Sequence, residues 1–554
     1  MIRERRKAVS SALRERLRCM ATEEITQSQV ADSAEDIYVR ALWRILNSRE
    51  DSFDRETNSS CMETLLEWVP SMNPVSGEFQ LTEHPNDLRK CNGSYYTPRT
   101  MIERLLDYTL NPLLASKKSS QEVLNMRVCD PSCGAGDFLI ASAERIAKRV
   151  KALDAEEGIS ARGHILTDVI RRCVYGVDKN PLAVKLCRLR LGSMTVNPSF
   201  VQMSLEEHIR IADSLDGLNE DNNEFRWSIF LRRSMENGSE NEPYGFDAVI
   251  GNPPYLFGKN KPRVDLSRFQ LAKGQWDASW LFIELAANHL LKRDGSLGFV
   301  LPDSILARFE TRIVREFLAK RFDTLEIEHV RTGFDADVSV ILLSGCNSHD
   351  PSLTLHHGSH FMTVAGKDSL ELSRLPWTRN AFLSSINARR PLRLGDIAEV
   401  IRGEECGKRG LPLIKEPCDP LLWAPALAGE GVKGCDEAPN ATHWIPRLDV
   451  RKPLAIYRSP KIVIVKTGKT LRACIDRNEL ITLQSVYNLH LKEDAPPWLR
   501  LEGLCEYLNS DECNAQFITP YTSGKAIFPQ ITLGMVREIR LSQEDVQINE
   551  PRDV

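Results

Sequence analysis

The run FDAVIGNPPY, residues 246–255, decides how the chain is read. Its first half is apolar and β-prone, the pattern of a buried strand. The strand then stops at Asn252, Pro253, Pro254 and Tyr255. Proline fixes its own φ and holds the residue before it extended. Asn252 and Pro253 therefore keep little conformational freedom. A plain turn needs no such rigidity. A site that must hold a few polar atoms at fixed positions does.

Strands and helices alternate on either side of this run. MRVCDPSC (126–133) reads as a strand entering a turn, and GDFLIASAERIAKRVKAL (136–153) as a helix with apolar positions at helical spacing. CVYGVDKN (173–180) is a second strand, and PLAVKLCRLRLGS (181–193) a helix with Pro181 in its first turn. LFIELAANHLLKRDG (281–295) reads as a helix and SLGFVLPDS (296–304) as another buried strand. Such alternation predicts an α/β domain, a parallel sheet with helices on both faces. Ligands bind such sheets at the carboxyl ends of the strands. In DPSCGAGDF, Asp130 can orient a ligand, while Gly134 and Gly136 let the backbone approach it. Asp178 ends the next strand, the usual place for an acid that grips a ribose. IADSL offers Asp213 one element later, with Asp216 as the alternative. Each acid alone is as well explained as a helix N-cap. Their order along one sheet favours a ligand site.

The chain has 554 residues, too many for one ordinary core, with 42% hydrophobic and 27% charged residues. No apolar run is long enough to span a bilayer, and the charged start MIRERRKAVSS is no secretory signal. A cytoplasmic protein with no membrane association is expected. The 14 cysteines form no CxxC pair, and Cys129 and Cys133 lack the partners of a zinc set, so no metal is expected. A net charge of −4 neither announces nor excludes a nucleic-acid partner, because binding depends on a local basic face.

Residues 1–90 read as a helical extension, clearest in DIYVRALWRILNS (36–48), with no role assigned. Residues 91–345 form the α/β domain, 346–389 a connector, and 390–545 a second, α+β domain of short strands such as KIVIVKTGK (461–469) and LITLQSVYNLHL (480–491). That last domain carries a basic series: Arg402, Lys408, Arg409, Arg447, Arg451, Lys452, Arg458, Lys461, Lys466, Lys469 and Arg472. Such residues can contact phosphates while a few neighbours read base edges.

Taken together, these residues resemble the S-adenosylmethionine-dependent amino-methyltransferases, specifically the TaqI-like γ-class of adenine-N6 DNA methyltransferases found in restriction-modification and related defence systems. DPSCGAGDF resembles their methionine-binding loop and NPPY their catalytic motif. GSYYTPRTMIERLL (93–106) resembles the segment that caps the cofactor, in the γ-class order. SPKIVIVKTGKTLRACIDRNELITLQSVYNL (459–489) and GKAIFPQITLGMVREIRL (524–541) resemble the target recognition domain. The resemblance covers roughly residues 90–545 and implies a Rossmann-like methyltransferase sheet. It implies S-adenosylmethionine held by Thr97, Asp130, Gly134, Gly136, Asp178, Asp213 and Pro254, with Asn252, Pro253 and Tyr255 as catalytic residues. It also implies double-stranded DNA as partner, with a separate restriction endonuclease or other defence-complex subunits alongside. The target adenine would be flipped out of the duplex and stacked by Tyr255 and Phe334. The family often has a basic residue just after this aromatic; here Asp335 and Asp337 stand instead, which counts against part of the local DNA contact.

The chemistry explains the prolines. The exocyclic nitrogen of adenine is conjugated with the ring and is a poor nucleophile. Acceptors for its two hydrogens, the Asn252 side-chain oxygen and the Pro253 carbonyl, would draw it towards a tetrahedral shape. Transfer then needs only positioning and hydrogen bonding. A protein glutamine N5-methyltransferase, an RNA adenine methyltransferase or an N4-cytosine enzyme could use the same chemistry. The first does not need the domain after residue 390, and Asn rather than Ser before the prolines favours adenine. A non-catalytic DNA-binding defence subunit is the reading of another class, opposed by the intact Asp130, Asp178 and Asn252.

Overall fold

The computed structural model describes residues 97–546 except for 160–162, 197, 223, 235–243, 259–260, 309, 331–338, 348–351, 358–359, 366–376, 378–391, 406–412, 418, 435–438 and 519–529; before residue 97 it describes 20–21, 37–38, 41, 68–72 and 79–83. The chain divides into two compact units. One comprises residues 1–303 and 313–370, the other 304–312 and 371–554.

Early in the first unit, strands β1 (Trp68–Met72) and β2 (Phe79–Glu83) pair antiparallel. The expectation of an all-helical extension over 1–90 is corrected here. The sequence between them holds Asn73-Pro74 and Ser76-Gly77, residues that favour chain reversal. Of the helix expected over 36–48, Ile37, Tyr38 and Ala41 are helical and buried, and the rest lies outside the described residues.

The first unit is built on a 9-stranded sheet. Its strands are β3 (Val128–Asp130), β4 (Val174–Asp178), β5 (Ile209–Ile211), β6 (Phe246–Gly251), β7 (Leu291–Pro302), β8 (Thr324–Val330), β9 (Val340–Cys346), β10 (Ser352–His357) and β11 (His360–Ala365). Their order is β11-β10-β8-β9-β7-β6-β3-β4-β5. The stretch β7-β6-β3-β4-β5 is parallel throughout. Val128, Cys129, Val174, Val177, Ala248, Val249 and Ile250 are fully buried, as strands covered on both faces require. The helix Asp137–Glu156 links β3 to β4, and the helix Pro181–Ser193 follows β4, capped by the Asn180 side chain, which accepts from Leu182 N and Ala183 N.

Beyond β7 the sheet departs from the all-parallel expectation. β9 runs antiparallel to both β7 and β8, and β11 antiparallel to β10. The cause is connection length: a parallel neighbour needs a crossover of a dozen or more residues, which the segments after β8 and β10 are too short to supply. β10 and β11 also correct the reading of 346–389 as a plain connector, because residues 352–365 extend the sheet. The helix expected over 281–295 ends at Leu290, and Leu291 begins β7 by pairing with Phe246.

The second unit holds β12 (Leu392–Arg393), β13 (Ala398–Arg402), β14 (Trp423–Leu427), β15 (His443–Pro446), β16 (Lys461–Val465), β17 (Ala473–Asp476), β18 (Ile481–Thr482), β19 (Val486–Leu491) and β20 (Arg540–Leu541). They form sheets of order β13-β19-β16-β17 and β15-β14-β18, and the pair β12-β20. The helix Leu501–Asn509 buries Leu504, Cys505, Tyr507 and Leu508 in the same apolar cluster as Ile462, Ile464 and Leu489.

Lys461 is withdrawn from the basic series. It is fully buried, donates to Tyr457 O at 2.8 Å, and is ion-paired with Asp476. Asp476 also accepts from Asn478 N at 2.8 Å and Leu480 N at 3.0 Å. Lys408 and Arg409 lie outside the described residues.

Removing one partner of a buried pair strands the other charge, at a cost of about 3–5 kcal/mol. Asp476→Ala should therefore lower the stability of the second unit by about that amount, read by chemical denaturation with intrinsic fluorescence. A loss below about 1 kcal/mol would mean Lys461 is satisfied without Asp476.

Candidate active site

Because β6, β3, β4 and β5 are neighbours and parallel, their carboxyl ends share one edge of the sheet. The loop after β3 is drawn tightly over it. Cys133 N donates to Val177 O on β4 at 3.0 Å, and Gly136 N to Cys133 O at 2.8 Å. Gly136 has φ +91° and starts the helix Asp137–Glu156. A Cβ there would lie 2.6 Å from Cys187 Sγ, so only glycine fits between the loop and the helix Pro181–Ser193. Arg190 fastens the loop from that helix, donating to Ala135 O at 2.7 Å and to Asp137 Oδ1 at 2.8 Å.

The acids at this edge have distinct settings. Asp178 is held by both oxygens: Oδ1 accepts from Asn180 N at 2.8 Å and Oδ2 from Gly134 N at 2.9 Å. Burial raises its pKa, opposed by those N–H groups. Asp130 is 1% exposed, with Oδ1 accepting from Ser132 N at 2.9 Å. Burial pushes its pKa up to about 8, against the pull of that N–H. Asp213 is exposed, with Oδ1 accepting from Leu215 N at 3.0 Å, while Asp216 Oδ2 accepts from Asn222 Nδ2 at 2.8 Å. Ser214, between these two acids, donates to Pro131 O at 2.5 Å and so ties the loop after β5 to the loop after β3.

The NPPY segment leaves β6 over Asp130. A Cβ on Gly251 would lie 2.9 Å from Asp130 Cγ, so the residue before Asn252 must be small for the two loops to meet. Asn252 is held at both ends of its amide. Nδ2 donates to Thr97 Oγ1 at 3.0 Å, and Oδ1 accepts from the Tyr255 hydroxyl at 2.7 Å. Thr97 is 4% exposed and precedes the helix Arg99–Ser116. The Tyr255 ring packs on the core of the first unit. Pro253 is buried and Pro254 partly exposed. Among the described residues the Pro253 carbonyl accepts no hydrogen bond.

Thr97, Asp130, Gly134, Gly136, Asp178, Asp213, Asn252, Pro253, Pro254 and Tyr255 thus all sit at the loops of this edge or directly against them. Phe334, with Asp335 and Asp337, lies outside the described residues. Sequence reading missed Arg190 and Ser214, which fasten the loops, and the bond from Thr97 to Asn252. Those partners are separated by 53, 83 and 155 residues, and nothing local in the sequence pairs them.

Asp130 keeps a proton in the fold that the unfolded chain would release near its ordinary value of 3.8. Its contribution to stability is therefore full below about pH 4 and is lost as the pH rises through about 8. Asp130→Asn keeps the acceptor for Ser132 N and removes the titration. The melting temperature of the unliganded protein should fall from pH 6 to pH 9 (approximate limits) less steeply in this variant than in the wild type. Parallel slopes would show that Asp130 is ionised at neutral pH.

Residues 172–335 match the Eco57I restriction-modification methylase family, and residues 425–540 the TaqI-like C-terminal specificity domain. The type II restriction enzyme and methyltransferase RM.Eco57I of Escherichia coli is 25% identical over 252 residues, covering 40% of this chain and 24% of that protein. The adenine-specific methyltransferase PglX of Streptomyces coelicolor is 27% identical over 271 residues, covering 43% of this chain and 22% of that protein. The chain thus aligns with under a quarter of the length of these relatives. In fold, it is similar to the Type IIL restriction-modification enzyme MmeI in complex with DNA, with a TM-score of 0.50 at 14% identity over 87% of this chain and 70% of that one. The chain carries an Eco57I restriction-modification methylase domain and, after it, a TaqI-like C-terminal specificity domain.

Proposed function

We propose that the protein is a site-specific DNA methyltransferase of a restriction-modification or related defence system, acting on the N6 amino group of an adenine flipped out of duplex DNA. The observation that carries this reading is Asn252, fixed at a strand end with its side-chain oxygen accepting from Tyr255 and followed by Pro253, whose carbonyl accepts no hydrogen bond among the described residues. The RM.Eco57I relative and the MmeI DNA complex support DNA as the substrate, and the similarity to the adenine-specific methyltransferase PglX supports adenine.

S-adenosylmethionine supplies an electrophilic methyl group when bound. The residues at the sheet edge suit it. Gly134, at φ +51°, has no atom within 4 Å of where a side chain would begin, which leaves open space over the loop. Asp178, fixed by Asn180 N and Gly134 N, can accept from ribose hydroxyls with its remaining lone pairs. Asp130, buried and near neutrality in its titration, would ionise beside the cationic amino acid moiety.

The protein groups do the rest by position. Asn252 Oδ1 spends one lone pair on the Tyr255 hydroxyl and offers the other to the target amino group. The Pro253 carbonyl takes the second hydrogen. Both acceptors favour a nitrogen whose lone pair has left conjugation, which is the transition-state form, so they act on the rate. The Tyr255 ring, held by its own hydroxyl bond, gives the base a face to stack on, and Phe334 is the candidate for the other. The basic residues remaining in the later domain, among them Arg447, Arg451, Lys452 and Arg458, would contact phosphates. A separate nuclease and a cytoplasmic location belong to the same reading.

Asn252→Ala should still bind S-adenosylmethionine but lose about 100-fold or more in single-turnover methyl transfer to unmodified bacterial genomic DNA. Near-wild-type turnover at saturating DNA would remove Asn252 from the chemistry. Asp178→Ala should weaken cofactor binding by about 1.5–3 kcal/mol in a calorimetric titration. Unchanged affinity would assign the ribose to another acid.

A further inference from the structure

We infer that Thr97 is a positioning residue for the Asn252 amide, holding the amide plane against rotation. The inference rests on the reading of Asn252 as the acceptor of the target amino group. By resemblance Thr97 was expected to contact the cofactor, and by position it could have been a helix N-cap. The geometry assigns it a further role.

The helix Arg99–Ser116 begins without help from Thr97. Its N-cap is Pro98, with no side-chain cap, and Met101 N and Ile102 N donate to Pro98 O at 2.9 and 3.2 Å. The Thr97 hydroxyl is turned instead to Asn252 Nδ2, at 3.0 Å. Because Thr97 is 4% exposed, water does not compete well for this bond. On the far side of the amide, Tyr255 donates to Oδ1 at 2.7 Å. Two hydroxyls from separate segments thus pin one amide plane.

An asparagine amide turns about χ2 at little cost, since that torsion is broad and shallow. An amide rotated out of that plane would carry Oδ1 away from the target amino group. A catalytic amide therefore needs a fixed plane, and the two prolines that follow cannot supply it, because they fix backbone and not χ2. Thr97 supplies it from 155 residues upstream. Pro98 disfavours the helical region for Thr97, as a proline does for the residue before it. This accounts for Thr-Pro standing before the helix when the helix itself makes no use of the threonine.

The experiment uses the full chain, S-adenosylmethionine and unmodified bacterial genomic DNA, and compares the wild type with Asn252→Ala, Thr97→Val and Thr97→Ser. Thr97→Val keeps the buried shape and removes the acceptor. It should lower the single-turnover rate at saturating S-adenosylmethionine by about tenfold or more. Thr97→Ser should restore most of the rate. Loss in Asn252→Ala together with an unimpaired Thr97→Val, or with a Thr97→Val defect confined to cofactor affinity, overturns the positioning role and leaves the functional reading standing. Failure of Thr97→Ser to recover the rate lost in Thr97→Val also overturns it. No transfer by the wild type, or full transfer by Asn252→Ala, overturns the functional reading and the inference with it.

Discussion

The close approach of Gly251 to the Asp130 carboxyl couples the two halves of the candidate site. A side chain at Gly251 would collide with Asp130, so β6 and β3 can bring their loops together only with glycine there. Asp130 is itself buried, and burial pushes its pKa up to about 8. Other fastenings hold this arrangement: Ser214 to Pro131, Arg190 to Ala135 and Asp137, and Gly134 to Asp178. Each joins segments that end or follow different strands, so the loops of the edge are held together and none is positioned alone. Such a site suits chemistry that depends on placement and on hydrogen bonds prepared in advance.

The two units solve different problems. In the first, polar groups gather at a strand edge. In the second, a charge is taken into the core, where Lys461 and Asp476 tie β16 to β17 and Asp476 also satisfies the turn after β17. Glu404 does similar work, accepting from Arg451 N at 3.1 Å, Lys452 N at 2.7 Å and the Tyr457 hydroxyl at 3.0 Å. It thereby fixes the backbone of a segment whose Leu448 and Leu454 side chains are 98% and 69% exposed.

Much of the first unit was legible in the sequence because its signals are local. Asp130, Asp178 and Asn252 each follow an apolar run, and the strand ends of a parallel sheet meet on one edge whatever the sequence between them. Pro181 announced its helix correctly. What was not legible depended on partners far along the chain. Lys461 reads as one more basic residue until Asp476 is seen beneath it. Thr97 reads as a helix start until Asn252 is seen beside it. The strands β10 and β11 escaped because His356, His357 and His360 interrupt their apolar residues, and the antiparallel β9 because connection length, not composition, sets its direction.

The central claim is that this edge methylates the amino group of adenine in duplex DNA. The most direct measurement incubates the purified full chain with methyl-labelled S-adenosylmethionine and unmodified bacterial genomic DNA, then digests the DNA to nucleosides and separates them. Label confined to N6-methyladenosine (as the deoxynucleoside) is the result this reading requires. Label on N4 of cytosine, label only on protein, or no label with cofactor bound would contradict it.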